Sequence, residues 1–123
     1  MTDRTIYGNG PAVSVVVVSY NCGYFLEKCL ESLSRQDYPF FEVIVVDNGS
    51  SEDIRAVQEK YFPGARLLRL ERNEGFAGGK NAGLMIAKGR YAALINNDAV
   101  ADKSWLTNMV RTAEGDDGVG AVA

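Results

Sequence analysis

Four short polar clusters interrupt a chain that is otherwise rich in valine, isoleucine and leucine. They are Ser19-Tyr20-Asn21, Asp47-Asn48, Asn73 with the glycines after it, and Asn96-Asn97-Asp98. Their hydroxyls, amides and carboxylates can hydrogen-bond a polar ligand, and the carboxylates can take a hard cation, which prefers oxygen ligands. The sequence contains no histidine. Histidine-based zinc sites and histidine-dependent triads are therefore excluded, and any metal must sit on oxygen. Each cluster alone is an ordinary turn signal, and Asp47 can be read as an Asx turn. The informative feature is that every cluster follows an apolar run.

Those runs are the elements that must position the clusters. Val13 to Ser19 (VSVVVVS) is a β-branched run of the kind buried on both faces of a parallel sheet. Leu26, Cys29, Leu30 and Leu33 fall at helical spacing, which predicts an amphipathic helix over 23–36 ended by Pro39. Glu42 to Val46 is a second strand. Ser50 or Ser51 can cap the next helix, with Glu52 and Asp53 in its first turn and Ile54, Val57 and Tyr61 on its inner face. Pro63-Gly64 breaks the chain, and Ala65 to Leu70 is a third strand. Residues 73–79 (NEGFAGG) read as a glycine-rich loop, followed by a helix over 81–88 in which Gly83 costs about 1 kcal/mol against alanine. Arg90 to Ile95 is a fourth strand. Asp102 is placed to cap a helix carrying Trp105, Leu106, Met109, Val110 and Ala113. Gly118 to Ala123 reads as the start of a fifth strand.

The alternation of strands and helices predicts the α/β class, with a Rossmann-like parallel sheet and right-handed crossovers. Ligands of such sheets bind outside the carboxyl ends of the strands, near a switch in strand order. A strand order of 3-2-1-4 would gather Tyr20, Asp47 and Asp98 around one cleft. The 123 residues fit one domain, with 1–10 as a loose lead-in and 11–123 as the folded unit. A net charge of −3 argues against nucleic acid as a partner. No apolar run approaches the length of a membrane span, and the N-terminus lacks a signal-peptide pattern. Cys22 and Cys29 lie two helical turns apart, roughly 10 Å, too far for a disulfide; this suits a reducing cytoplasm.

The stretches VSVVVVSYNCGYFLEKCLESL, EVIVVDNGSSED, NEGFAGGKNAGLMIAKGRYAALINNDA and DKSWL resemble, in order and spacing, the family 2 inverting glycosyltransferases of the GT-A fold. The resemblance spans Val13 to Ala123 and is strongest to bacterial transferases of surface-polysaccharide synthesis, including rhamnosyltransferase-like members. It implies a nucleotide-sugar-binding half of such a domain, cut short within the fifth strand. It places Tyr20 against the face of a uracil or thymine and Asp47 on the base or ribose. Lys80-Asn81 takes the place of the family's basic residue and asparagine. Asn96-Asn97-Asp98 aligns with the D-x-D element that holds ribose and a divalent cation, Mn²⁺ or Mg²⁺. Asn96 replaces the first acid there, so Asp98 remains as the single candidate metal ligand. Ser19, Asn21, Asn73, Gly75 and Asn97 complete the candidate substrate-binding set.

The implied donor is a UDP- or dTDP-linked sugar, and the implied acceptor is a saccharide or a lipid-linked sugar. The family's general base falls after the fifth strand, so no catalytic residue is assigned, and Asp116 and Asp117 are read as loop residues. A cytoplasmic location, peripheral to the inner membrane face, is the matching expectation. An apolar edge at Val119 to Val122 would allow edge-to-edge dimers. Two other classes compete. A dinucleotide oxidoreductase would need its glycine fingerprint directly after the first strand, where the sequence reads Ser19-Tyr20-Asn21-Cys22. A non-catalytic binding or scaffold module of the same fold is the remaining alternative.

Overall fold

The computed structural model describes residues 11–21 and 23–122. The lead-in of residues 1–10, Ala123 and Cys22, with its spacing to Cys29, lie outside the described residues. Four strands, β1 (Val13–Ser19), β2 (Phe41–Asp47), β3 (Arg66–Arg69) and β4 (Tyr91–Asn96), form one sheet in the order β3-β2-β1-β4. All three strand pairs are parallel. The helices are α1 (Gly23–Ser34), α2 (Arg55–Tyr61), α3 (Gly75–Met85) and α4 (Trp105–Glu114). The α/β class, the parallel sheet and the strand order agree with the reading of the sequence.

The β-branched strands are buried on both faces because helices cover both. Val13, Val15 and Val17 point into a core with Leu26, Cys29, Leu30 and Leu33 of α1, Ile54 ahead of α2, and Leu106 of α4. Val16, Ile44 and Val46 point the other way, into a smaller cluster with Ile86 and Ala87. There α3 crosses from the β3 edge to the β4 edge over β1 and β2, whereas α1 lies on the opposite face. The order therefore reverses between β1 and β4, which makes their carboxyl ends the switch point.

Four expectations fail at the ends of elements. The helix placed over 81–88 begins at Gly75, so the predicted glycine loop is mostly its first turns. Glycine propensity argued against a helix, but packing overrides it. A Cβ on Gly83 would sit 2.5 Å from Cγ1 of Val16, and one on Gly79 would sit 2.7 Å from Cγ1 of Val18. Ser50 and Ser51 do not cap α2; Ile54 occupies that position without a side-chain cap. The serines are taken by Asn21, whose amide donates to Ser50 Oγ and whose Oδ1 accepts from the Ser51 amide, each at 2.8 Å. Asp102 does not cap α4 either; it closes a turn by accepting from the Ser104 amide at 3.0 Å, and Ser104 is the residue before the helix. No fifth strand forms at 118–122, because that segment makes no ladder with β4 and only lines a groove beside it. The apolar strand edge expected at Val119 to Val122 is therefore absent from the described residues. A smaller difference is that α1 stops at Ser34, two residues short of Gln36.

At the amino ends of the strands, Glu42 accepts from the Ser14 hydroxyl at 2.5 Å, from the Lys88 amide at 2.9 Å and from Arg66 at 3.0 Å. Burial alone would raise the Glu42 carboxyl, but the hydroxyl, the amide and the guanidinium outweigh it and hold it below its ordinary 4.5. This network joins β1, β2, β3 and the turn before β4, away from the polar clusters.

Two outcomes are expected. Gly83→Ala should destabilise the fold by about 1–3 kcal/mol, because overpacking against Val16 exceeds the roughly 1 kcal/mol gained in helix propensity. Urea denaturation measures this, and a stabilised variant would refute the packing argument. Glu42 has a depressed folded-state pKa, so its contribution is complete above pH 4.5 and is lost as pH falls through the folded value. Glu42→Gln should therefore flatten the stability profile on the acid side of pH 5. An unchanged acid limb in pH-dependent melts would exclude Glu42 as a source of the acid sensitivity.

Candidate functional site

The carboxyl ends of the strands are tied to one another before any ligand is considered. The Asn48 amide donates to the Ser19 carbonyl at 2.8 Å, joining the ends of β2 and β1. The Asn48 side chain is buried and spans outward to α3. Its Nδ2 donates to the Gly75 carbonyl and its Oδ1 accepts from the Glu74 amide, both at 2.9 Å. Asn73 closes the same turn, with Oδ1 accepting from the Gly75 amide at 2.8 Å. Gly49 and Gly75 hold φ values of +82° and +81°, in the left-handed region that glycine adopts without strain. A side chain on Gly49 would also strike the backbone at Arg72 and Asn73, at 2.5 Å.

These ties shape an open cleft of about 440 Å³. Val18 of β1 and Tyr20 just beyond it line the cleft, with Asn48 just after β2, Asn73 ahead of α3, and Gly75, Phe76 and Lys80 in its first turns. Ile95, Asn96, Asn97 and Asp98 line it from β4 and the turn beyond. Asn96 ends β4, and its carbonyl accepts from the Ala99 amide at 3.0 Å, so Asn97 and Asp98 occupy the middle of a tight turn. Asp98 is the one carboxylate and Lys80 the one cation among the lining residues. The Lys80 ammonium lies 3.7 Å from the centre of the Phe76 ring.

Seven of the residues singled out in the sequence thus meet at one place: Tyr20, Asn73, Gly75, Lys80, Asn96, Asn97 and Asp98. Four others do not line the cleft. Asp47 is 2 % exposed; its Oδ1 accepts from the Ser50 amide at 2.9 Å and its Oδ2 pairs with Arg69 Nε at 3.5 Å. Ser19 is fully buried beside it in register. Asn21, at φ +50°, is occupied in holding the 50–52 turn. Asn81 is exposed one residue beyond Lys80, about 100° further round the helix. Two lining residues with chemistry to offer were left out of the candidate set. Asn48 was seen in a polar cluster but read as part of a turn, although a polar amide directly after a buried strand was the available signal. Phe76 stood four residues before Lys80, the spacing at which an aromatic and a cation share one helix face.

Carboxylates elsewhere are used structurally. Asp116 accepts from the Gly118 amide at 2.8 Å within a turn. Asp37 accepts from the hydroxyls of Ser104 and Thr107, which hold its carboxyl below the usual range and fasten the start of α4 to the end of α1. No group of three or more His, Cys, Asp or Glu side chains that could hold a metal ion occurs among the described residues. Among the same residues no helix is long and apolar enough to cross a membrane.

The family model described as Glycosyl transferase family 2 matches residues 14–123. Glycosyltransferase GlyG of Streptococcus pneumoniae is 33% identical over 103 residues, which are 81% of this chain and 33% of that protein. The Escherichia coli UDP-Glc:alpha-D-GlcNAc-diphosphoundecaprenol beta-1,3-glucosyltransferase WfaP is 31% identical over 83% of this chain and 41% of its own length. The crystal structure of S. aureus TarS 1-349 in complex with UDP-GlcNAc superposes with a TM-score of 0.78 at 26% identity, over 90% of this chain and 37% of that one. The mannosyltransferase PcManGT of Pyrobaculum calidifontis, in complex with GDP-Man and Mn²⁺, gives a TM-score of 0.74 at 28% identity, over 85% of this chain and 32% of that one. The chain spans about a third of the length of the curated relatives it matches.

Cys29 lies directly behind the cleft turn and reports on it. Its thiol donates to the Asn96 carbonyl at 3.7 Å, and burial, reinforced by the Asp98 charge, pushes its pKa up to about 12. The thiolate is the reactive form, so Cys29 should resist alkylation at pH 8 in the folded chain and react once the chain is unfolded. Peptide-level mass spectrometry after iodoacetamide treatment measures this. Rapid labelling of Cys29 in the native chain would mean that α1 does not seal the back of the turn.

Proposed function

The chain belongs to glycosyl transferase family 2, and from that premise we propose that it forms the donor-binding part of an enzyme that transfers a sugar from a nucleoside diphosphate to an acceptor hydroxyl with inversion. The observation that carries this reading is the cleft at the β1–β4 switch point, where an aromatic ring, a row of amides, one cation and one carboxylate converge. Tyr20, 47 % exposed at the rim, presents a face on which a uracil or thymine can lie. Asn96 and Asn97 offer amide groups to ribose hydroxyls. Lys80 offers a positive charge to the donor from the first turns of α3. Solved relatives that hold UDP, UDP-GlcNAc and GDP-Man support this class of ligand.

A divalent cation fits the residues present in a specific way. Asp98 is exposed and stands alone as a carboxylate among the cleft residues. One carboxylate suits Mn²⁺ or Mg²⁺ whose remaining ligands are phosphate oxygens and water. When bound, the cation supplies charge neutralisation for the departing diphosphate. Asp47 acts at one remove on this reading: it is already committed to the turn that carries Asn48, and Ser19 and Asn21 likewise hold the floor and rim. We assign no general base to this chain. The acceptor on this reading is a saccharide or lipid-linked sugar of a cell-surface polysaccharide, handled on the cytoplasmic side of the membrane.

Calorimetric titration of the chain with UDP, dTDP and GDP, with and without Mn²⁺, tests the reading. Mn²⁺ should tighten nucleotide binding. Asp98→Ala should abolish that enhancement without lowering the melting temperature, since Asp98 is exposed. Asn96→Asp should enlarge it by restoring a second carboxylate. An identical Mn²⁺ effect in Asp98→Ala would exclude Asp98 as the ligand, and no binding of any of the three nucleotides would exclude the donor cleft itself.

A further inference from the structure

We propose that Phe76 is a positioning residue that holds the Lys80 ammonium on the cleft wall, so that the charge is in place before an anionic donor arrives. The inference rests on the donor-cleft reading. Phe76 is 60 % exposed, an unusual position for a phenylalanine whose burial would be favourable, and one face of its ring is occupied by Nζ of Lys80 at 3.7 Å from the centroid. The two residues stand at i and i+4 on α3, the spacing that brings side chains together on one face. Gly79, between them in the helix, is pressed onto Val18 and Asn48, so the backbone carrying both is fixed to the sheet.

The need for such a device follows from the chemistry of lysine. Its ammonium is a point charge on a flexible four-carbon stem, and the half-buried Lys80 still has rotamers to choose among. Among the described residues no carboxylate lies within salt-bridge distance of Lys80, so no ion pair restrains it. An ion pair would in any case neutralise the charge meant for the donor. The ring quadrupole attracts the ammonium without cancelling it, which leaves the full positive charge available on the side away from the ring.

The test combines a double-mutant cycle with a ligand-free spectroscopic readout on the chain. UDP binding is measured by calorimetry for the wild type, Phe76→Leu, Lys80→Met and the double variant, with melting temperatures alongside. Phe76→Leu should weaken UDP binding about two- to five-fold, the range expected for an exposed cation–π contact. Phe76→Trp should restore it. In the Lys80→Met background Phe76→Leu should have no further effect, because the ring acts through the lysine. In the free protein the Lys80 side-chain protons should be shifted upfield by the ring current, and Phe76→Leu should remove that shift. Equal UDP affinity in Phe76→Leu, or a loss of equal size with and without Lys80, overturns the proposal; the second result would make the ring a direct donor contact or a packing element. Failure of the wild type to bind UDP while the ring-current shift is present would instead remove the donor reading, and the functional role of Phe76 with it.

Discussion

The distance between α3 and the sheet is the constraint on which the site depends. It is set by Gly79 and Gly83, where the helix backbone rests on Val18, Val16 and Val46 with no side chain between. Glycine inside a helix costs about 1 kcal/mol per residue against alanine, and α3 carries three beyond its first residue: Gly78, Gly79 and Gly83. That cost is tolerated because a closer helix lets the amide of Asn48 reach both the Glu74 amide and the Gly75 carbonyl. A helix lifted by one methyl layer would strand a buried side-chain amide, with a penalty of about 1–3 kcal/mol. Close packing and polar satisfaction therefore enforce the same position for the first turn of α3.

The opposite wall is fixed by a different device. The turn after β4 has no covering helix of its own, so it is held from behind. Cys29 donates to the Asn96 carbonyl, and Ser32 Oγ accepts from the Ala101 amide at 2.9 Å. Gln36 then donates to the Asp102 carbonyl at 2.6 Å and accepts from the Leu106 amide at 3.0 Å. These groups lie on α1 or just after it and lead the chain from Asn96 to the start of α4. Asn97 and Asp98 can remain open to solvent because the backbone on either side of them is anchored to α1.

How much of this was legible in the sequence depended on whether one side chain or two decided the outcome. Strand β1 was legible to its last residue, because valine runs have few other solutions, and the strand order followed from alternation together with the polar ends. The start of α3 was not legible, since glycine at 75, 78 and 79 reads locally as loop, and the valines of β1 and β2 that account for Gly79 and Gly83 are distant in sequence. The caps at Ser50, Ser51 and Asp102 failed for a related reason. Each residue has local capping chemistry, but Asn21 claims both serines across the β1–α1 loop and Asp102 spends its carboxylate on an earlier turn. Asp47 was legible as a polar group at a strand end, but its partners were not: it accepts from the Ser50 amide in the turn beneath the cleft and pairs with Arg69. Where partners are distant in sequence, residue type announces a capability and leaves the partner undetermined.

The charge pattern of the cleft constrains how it can bind. The chain is acidic overall, at −3, and the cleft holds one positive and one negative side chain. Such a surface cannot concentrate an anion by its own field in the way a basic cleft does. On the proposed reading, affinity for a diphosphate would then come from pre-placed groups and from a cation shared with the ligand. Asn96 matters here because a second carboxylate would raise the repulsion that a metal-free diphosphate meets, whereas an amide keeps hydrogen-bonding capacity at no charge. On that reading, with Asp98 as the single anionic ligand, most of the cation's coordination would be completed by phosphate oxygens and water. Metal and nucleotide would therefore each raise the affinity for the other by the same factor, as linkage requires. On the proposed reading, an amide at Asn96 leaves Asp98 as one anionic ligand, so that cation and nucleotide would assemble in the cleft together.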